Sequence, residues 1–265
     1  MAALLAIFFF LVATLTVGLF IGHVWWMPEL ISTHGAAVDH ELVLTLTIAG
    51  IAFFLAQVFL GYFIWRFRDK NDGKPASNWH ENRKLEIFWT VVTAVVFVGL
   101  AIRGNGVWAD YILSDVPANA VTIEVTAQQF AWNFRYAGPD GQFGRAIPSL
   151  INDATGNFLG IDPSDPAGKD DITTQNIIAV PVNHPVQLIL RTKDVTHSFF
   201  VPVMRVKQDA VPGMAIRIHF TAEKTGEYEV ACAELCGMQH YKMRARFLVM
   251  QENEFQDWLK QRASQ

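Results

Sequence analysis

The chain has 265 residues, a formal net charge of −4 and 51% hydrophobic residues. The charge balance leaves no basic footprint for nucleic acid, and the two cysteines allow one disulfide at most. Only 17% of residues are charged, against roughly 25% in ordinary soluble domains; the shortfall lies in the N-terminal part, which points to a membrane anchor followed by a water-soluble domain.

Residues 3–27, ALLAIFFFLVATLTVGLFIGHVWWM, carry no charged side chain. At about 1.5 Å per residue the run crosses a hydrocarbon core of about 30 Å. Trp25 and Trp26 stand where an aromatic belt would lie. A cleaved signal peptide is the alternative, but such segments open with positive charge, and no Lys or Arg precedes Arg66. A retained span is preferred. A second apolar run covers 42–65, and a third runs from Ile87 to Ile102, with Arg103 able to snorkel at its end. The loop between them carries Arg66, Arg68, Lys70, Lys74, Arg83 and Lys84, which places it in the cytoplasm by the positive-inside rule. Everything after about Trp108 then lies outside, on the periplasmic side of a bacterial inner membrane. The expected division is 1–36 as an N-terminal transmembrane segment, 37–110 as a transmembrane hairpin and 111–265 as the external domain.

From Val121 the pattern changes to short β-type runs: VTIEVTAQQFAWNFRY (121–136), IIAVPVNHPVQLILRT (177–192), MAIRIHFTA (214–222), GEYEVACAE (226–234) and MRARFLVM (243–250). Turn-forming residues bound each of them, as expected of an all-β sandwich. Residues 137–175, rich in Gly, Pro and Asp, read as a long insertion between strands. Phe255, Trp258 and Leu259 at helical spacing predict a short amphipathic C-terminal helix over 252–262.

The chemistry is concentrated in CAELCGMQHYKM, which sets Cys232, Glu234, Cys236, His240 and Met243 on one loop. His197 stands upstream in DVTHSFFVP and can join them where the loops of a sandwich cluster. Thiolate, thioether and imidazole together select copper. A mononuclear blue copper site needs one Cys, so the second cysteine suggests two thiolates bridging two copper ions. Each ion would then take one histidine, with Met243 a weak ligand to one and the Glu234 main-chain carbonyl serving the other. A disulfide explains the cysteines but leaves His240 and Met243 unexplained; zinc has no need of Met.

Cys-x-Glu-x-Cys-x3-His-x2-Met with an upstream His-Ser is the dinuclear copper-A pattern. With HSFFVP and VKQDAVPG it makes the chain, from about Val38 to Trp258, resemble subunit II of the haem-copper oxidases. The resemblance implies two or three transmembrane helices followed by a cupredoxin-like β-sandwich. It implies electron transfer from cytochrome c, or a donor complex, to the copper pair and then to haem in subunit I. Dioxygen is reduced there, coupled to proton translocation. It also implies a magnesium ion shared with subunit I and held by the Glu234 carboxylate, as suits a hard oxygen ligand. Glu86, in KLEIFWTVV, takes the place of a carboxylate at the cytoplasmic mouth of a proton channel; the plain alternative is a helix-start acid favoured by the macrodipole.

Three features depart from the family pattern. Where many members read Gln-Trp-x-Trp this chain reads Gln129, Phe130, Ala131, Trp132, so Phe130 occupies the position that admits the electron and Trp132 is the nearby alternative, better suited to the core. Acidic and basic side chains nearly balance after Ala120, so strong electrostatic steering of a basic cytochrome is not expected. The first span exceeds the usual two and fits a variant complex with further subunit contacts. A copper-delivery protein, a nitrous oxide reductase domain and a copper-free quinol oxidase subunit are the competing readings. The full ligand set, the multi-span anchor and the lack of a separate catalytic domain speak against them.

Overall fold

The computed structural model describes residues 1–70, 73, 75 and 81–264, so Lys74 of the basic loop lies outside the described residues. The chain divides into two compact units: Met1–Met27 with Ala37–Trp108, and Pro28–Ala36 with Ala109–Gln265.

The first unit is built on three helices, α1 (Ala2–Ile21), α2 (Gly35–Arg66) and α3 (Arg83–Ile112), each with a stretch long and apolar enough to cross a membrane. They are apolar all round, as lipid-facing helices are, because a helix satisfies its own backbone where no water can. Contact between α1 and α2 uses small residues. A Cβ on Gly61 would stand 3.2 Å from the Ala6 carbonyl oxygen and 3.3 Å from the Phe10 ring, and Ala6 and Ala13 are buried. Such residues let backbones approach where hydrophobicity gives no drive to associate. Arg103 on α3 pairs with Glu41 on α2 at 2.6 Å. The helices differ in extent from the apolar runs: α1 stops at Ile21, while α2 and α3 continue through polar residues such as Asp39 and Asn105.

The second unit is a sandwich of two five-stranded sheets. The first has the order β3-β2-β1-β5-β8 and the second β4-β10-β9-β6-β7. The strands are β1 (Val121–Gln128), β2 (Ala131–Tyr136), β3 (Ile172–Gln175), β4 (Ile177–Pro181), β5 (Pro185–Thr192), β6 (His197–Val201), β7 (Val206–Ala210), β8 (Ile216–Thr221), β9 (Gly226–Cys232) and β10 (Arg244–Met250). Alternate residues point inward: Ile123, Val125 and Ala127 on β1, Val186, Leu188 and Leu190 on β5, and Ala245, Phe247 and Val249 on β10 are all buried. Full burial of the Val, Leu, Ile and Phe side chains among them contributes about 1.5–3 kcal/mol each. Helix α4 (Glu252–Ala263) opens with a capping box between Gln251 and Glu254 and buries Phe255. Trp258 of that helix meets Tyr136 edge to face at 5.6 Å.

Three sequence expectations need correction. The run 121–136 is not one strand but a hairpin, broken at Gln129–Phe130 into antiparallel β1 and β2. The run 177–192 divides between the two sheets, because Pro181 and Pro185 flank a turn whose Asn183 takes a left-handed φ of 55°. Pro28–Ala36, grouped by the sequence with the first helix, belongs to the sandwich: Ile31 is fully buried, its N–H donates to the Val203 carbonyl at 3.0 Å and its own carbonyl accepts from Glu223 N–H at 2.7 Å.

One buried cation ties Gly144 and Asp171 of the 137–175 segment to the sheet. Arg135, 2% exposed, donates from Nε to Asp171 at 3.0 Å and from Nη1 to Glu124 at 3.1 Å. Its Nη2 holds Asp171 and the Gly144 carbonyl, and Phe143 covers the guanidinium at 5.2 Å. The segment's last residues, Ile172–Gln175, form β3 against β2.

Candidate metal centre

The strand register assembles the centre. Antiparallel pairing of β6 with β9 sets Phe199 opposite Cys232, and the Ala233 N–H donates to the Ser198 carbonyl at 3.0 Å. His197, the first residue of β6, is thereby carried to the start of the β9–β10 loop. Cys232 N–H donates to the Met243 carbonyl at 3.1 Å, closing that loop, and a short 3-10 turn over His240–Lys242 brings His240 inward.

The side chains converge. Cys232 Sγ lies 3.9 Å from His197 Nδ1, 3.3 Å from the Glu234 carbonyl oxygen and 3.9 Å from Cys236 Sγ. Cys236 Sγ lies 3.6 Å from His240 Nδ1 and 3.8 Å from Met243 Sδ. His197 therefore stands beside Cys232, with the Glu234 carbonyl, and His240 beside Cys236, with the Met243 thioether, while His240 also reaches Cys232. The cysteines are free, and their separation is far beyond the roughly 2.05 Å of a disulfide. His197, Met243, Cys236 and Cys232 are buried, His240 is half-buried, and the Glu234 side chain is exposed.

The electrostatics favour one thiolate at a time. Burial works against ionisation of Cys232, but hydrogen bonds from His197, backbone groups and His240 outweigh it and lower its pKa. Burial and the neighbouring Cys232 charge push the Cys236 thiol up. A cation between the sulfurs would relieve that conflict, since bound metal takes thiols in their deprotonated form. The donor set fits a soft metal of the copper type: two thiolates, two imidazoles and a thioether, with no carboxylate oxygen among them. Zinc would leave Met243 and the Glu234 carbonyl without a task.

Two partners of the centre are absent from the sequence reading. Asp194 Oδ1 accepts from His197 Nε2 at 2.9 Å, which fixes the ring so that Nδ1 faces the sulfur, as outer partners of metal-binding histidines commonly do. Asp-x-x-His within one loop is the signal that could have found it. The Gln129 side-chain amide donates to the Cys236 carbonyl, and no sequence pattern announces that contact. Phe130, half-buried, sits at the hairpin tip against Gly237. Trp132 is fully buried and meets His197 edge-on at 6.2 Å and Phe199 at 5.5 Å; no donor protein can touch it there. Glu86 stands exposed in the first turn of α3, in the other unit, with Asn82 N–H donating to it at 3.4 Å.

Sequence profiles match in two places: one described as cytochrome C oxidase subunit II, periplasmic domain, over residues 121–250, and one as the transmembrane domain of the same subunit, over 26–104. An alternative cytochrome c oxidase subunit 2 of Bradyrhizobium diazoefficiens is 37% identical over 89% of this chain and 83% of its own length. Cytochrome c oxidase subunit 2 of Cereibacter sphaeroides is 34% identical over 81% of this chain and 72% of its own length. Among solved structures, the periplasmic domain of subunit II of cytochrome oxidase of Bradyrhizobium japonicum is 31% identical, covering 57% of this chain and 98% of that one, with a TM-score of 0.41.

Proposed function

The chain belongs to the cytochrome c oxidase subunit II family, and from that membership we propose that it is the electron-accepting subunit of a respiratory oxidase in a bacterial inner membrane, with the sandwich on the periplasmic side. Cytochrome c, or a donor held in a larger complex, delivers electrons to a dinuclear copper-A centre; haem in subunit I receives them for reduction of dioxygen, coupled to proton translocation. The observation that supports this best is the symmetric partition of donors about the sulfur pair: Cys232 with His197 and the Glu234 carbonyl, Cys236 with His240 and Met243.

When bound, such a centre supplies a one-electron store shared between two ions. The chain's own residues do the rest. Cys232, Cys236, His197, His240, Met243 and the Glu234 carbonyl are the groups that would hold it, one imidazole beside each sulfur, with the thioether on the Cys236 side and the carbonyl on the Cys232 side. Burial of Cys232, Cys236, His197 and Met243 would keep water from the bound group and hold its donors in place. The exposed Glu234 carboxylate is free to hold magnesium shared with subunit I, as a hard oxygen ligand suits. Phe130 offers the donor a flat apolar contact. Glu86 takes up protons at the cytoplasmic mouth of a channel.

Electron paramagnetic resonance of the assembled, oxidised complex tests the centre. One unpaired spin spread over two copper nuclei gives a seven-line hyperfine pattern; a four-line pattern, or sulfurs found joined to each other, overturns the reading. For Glu86, the Glu86→Gln enzyme should turn over several-fold more slowly while its copper is reduced at the parent rate. Unchanged turnover removes Glu86 from proton uptake.

A further inference from the structure

The tip of the β1–β2 hairpin is fastened to both ligand-bearing segments. Beyond the last strand pair, Gln128 with Ala131, two residues, Gln129 and Phe130, make the turn. The Gln129 main-chain N–H donates to Asp194 Oδ2 at 2.7 Å; the same carboxylate holds His197 through Oδ1 at 2.9 Å. The Gln129 side chain reaches the opposite way, its Nε2 donating to the Cys236 carbonyl. On the strand side, Lys193 Nζ donates to Gln128 Oε1. The turn is thus tied to the first histidine on one side and to the second cysteine on the other.

These ties fix where the Phe130 ring lies. A Cβ built on Gly237 would meet Phe130 Cζ at 3.1 Å and Gln129 Nε2 at 2.9 Å. The ring and the amide therefore lie together against the Cα of the residue that follows Cys236. Gly237 also adopts a φ of 132°, a region that glycine alone occupies without strain. A residue at that position with any side chain would separate the ring from the loop.

We infer that Gln129 is a positioning residue for electron transfer: by holding the Cys236 carbonyl, its side-chain amide keeps Phe130 in contact with the Cys236–Gly237 segment. The inference rests on Phe130 being where the electron comes in. Electron transfer across a non-bonded gap weakens steeply as the gap widens, so an aromatic group on a free two-residue turn would spend much of its time out of contact. Gln129 is mostly exposed, and a glutamine in open solvent has no need of one fixed rotamer; here its amide has one acceptor, the main-chain carbonyl of the proposed ligand Cys236. No electron passes through Gln129 itself.

The assembled oxidase tests this with Gln129→Leu, Gln129→Glu, Phe130→Leu and the double variant Gln129→Leu/Phe130→Leu. Copper reduction by ascorbate-reduced cytochrome c is followed against donor concentration, together with the resonance spectrum and midpoint potential of the copper. Gln129→Leu should lower the limiting reduction rate about tenfold, inside the roughly hundredfold that a misplacement of about 1 Å can cost. The spectrum and the midpoint potential should stay at parent values. Gln129→Glu has the same length but no hydrogen to donate when ionised, and should behave as Gln129→Leu. In the Phe130→Leu background, Gln129→Leu should add nothing, because its effect runs through the ring. If Phe130→Leu itself leaves reduction at the parent rate, the role of Phe130 fails. If Phe130→Leu slows reduction but Gln129→Leu does not, or the two losses multiply, or Gln129→Leu alters the copper spectrum, the role of Gln129 is overturned.

Discussion

Val95 on α3 is 66% exposed, whereas Val125 on β1 is fully buried. The same side chain lies outward in the helical unit and inward in the sandwich. Leu11, Phe97 and Ile102 follow the first pattern, and Leu188, Phe199 and Phe247 the second. Two solvents explain the reversal. Lipid tails are as apolar as valine, so helices gain nothing by hiding it and meet instead through small residues such as Ala6 and Gly61. Water drives the β residues into one core. The sandwich alone can therefore shield a polar constellation from water, and its few buried charges carry large penalties when unpaired.

The largest expected effect is at the centre, where shielding and chemistry coincide. Cys232→Ser or Cys236→Ser in the assembled oxidase should abolish the mixed-valence copper spectrum entirely, because a hydroxyl is a poor soft-metal ligand and one sulfur cannot hold both ions. Survival of that spectrum in either variant would be fatal to a bridging pair. Next comes the buried ion cluster. Arg135→Leu strands Asp171, whose side chain is fully buried, and breaking such a pair costs about 3–5 kcal/mol. A large fall in the unfolding midpoint of the sandwich is expected, mostly restored by adding Asp171→Leu. A single variant with the parent midpoint would show that the cation does not hold the 137–175 segment.

How far the sequence carries differs between the two units for the same reason. Charge-free runs expose the helices at once, since lipid tolerates no alternative. Their ends are harder to read, because α2 starts through Asp39, His40 and Glu41, polar residues that hydropathy sets outside the span. In the sandwich, the metal loop is legible because five of its candidate groups lie within twelve residues. His197 was reachable by the rule that loops of a sandwich cluster. Strands β6 and β7 are short and flank a 3-10 turn at Pro202–Met204, so no periodicity marks them. Ile31 is invisible in sequence: one apolar residue between helices gains meaning only through its bonds to Val203 and Glu223. Contacts between residues far apart in the chain, Gln129 with Cys236 among them, leave no local pattern to find.

A pair of matched substitutions probes the two solvents directly. Val95→Asp puts a charge on an exposed apolar face at the middle of a candidate span, which in lipid costs about 2.5–3.5 kcal/mol on insertion scales. Leu150→Asp alters an apolar residue that is also exposed, at 37%, but faces water, where surface changes stay within about 0.5 kcal/mol. The alkali-resistant membrane fraction of each chain reads the difference: a sharp loss for Val95→Asp and parent yield for Leu150→Asp. Equal yields would mean that α3 does not face lipid at Val95.

The smallest effect concerns pH. His34, in the segment that joins the sandwich between α1 and α2, stacks on Tyr111 at 4.2 Å. Burial, and then the nearby His219, hold its pKa down to about 4 from 6.5; His219 itself lies 3.1 Å from Ser114 Oγ. Above pH 6.5 the ring is neutral whether the chain is folded or not, and no penalty arises. As pH falls from 6.5 toward 4, the unfolded chain binds a proton that the folded one refuses, so stability is lost across that window and levels off below it. By pH 5 the loss is at most about 2 kcal/mol, less to the extent that water still reaches the ring. His34→Phe keeps the stacking and removes the proton site. Comparing the unfolding midpoints of parent and variant between pH 7 and pH 5 cancels the slope shared by other groups, including His219 and the surface carboxylates. The gap between them should shift in favour of His34→Phe as pH falls; a constant gap would mean that burial does not keep His34 neutral.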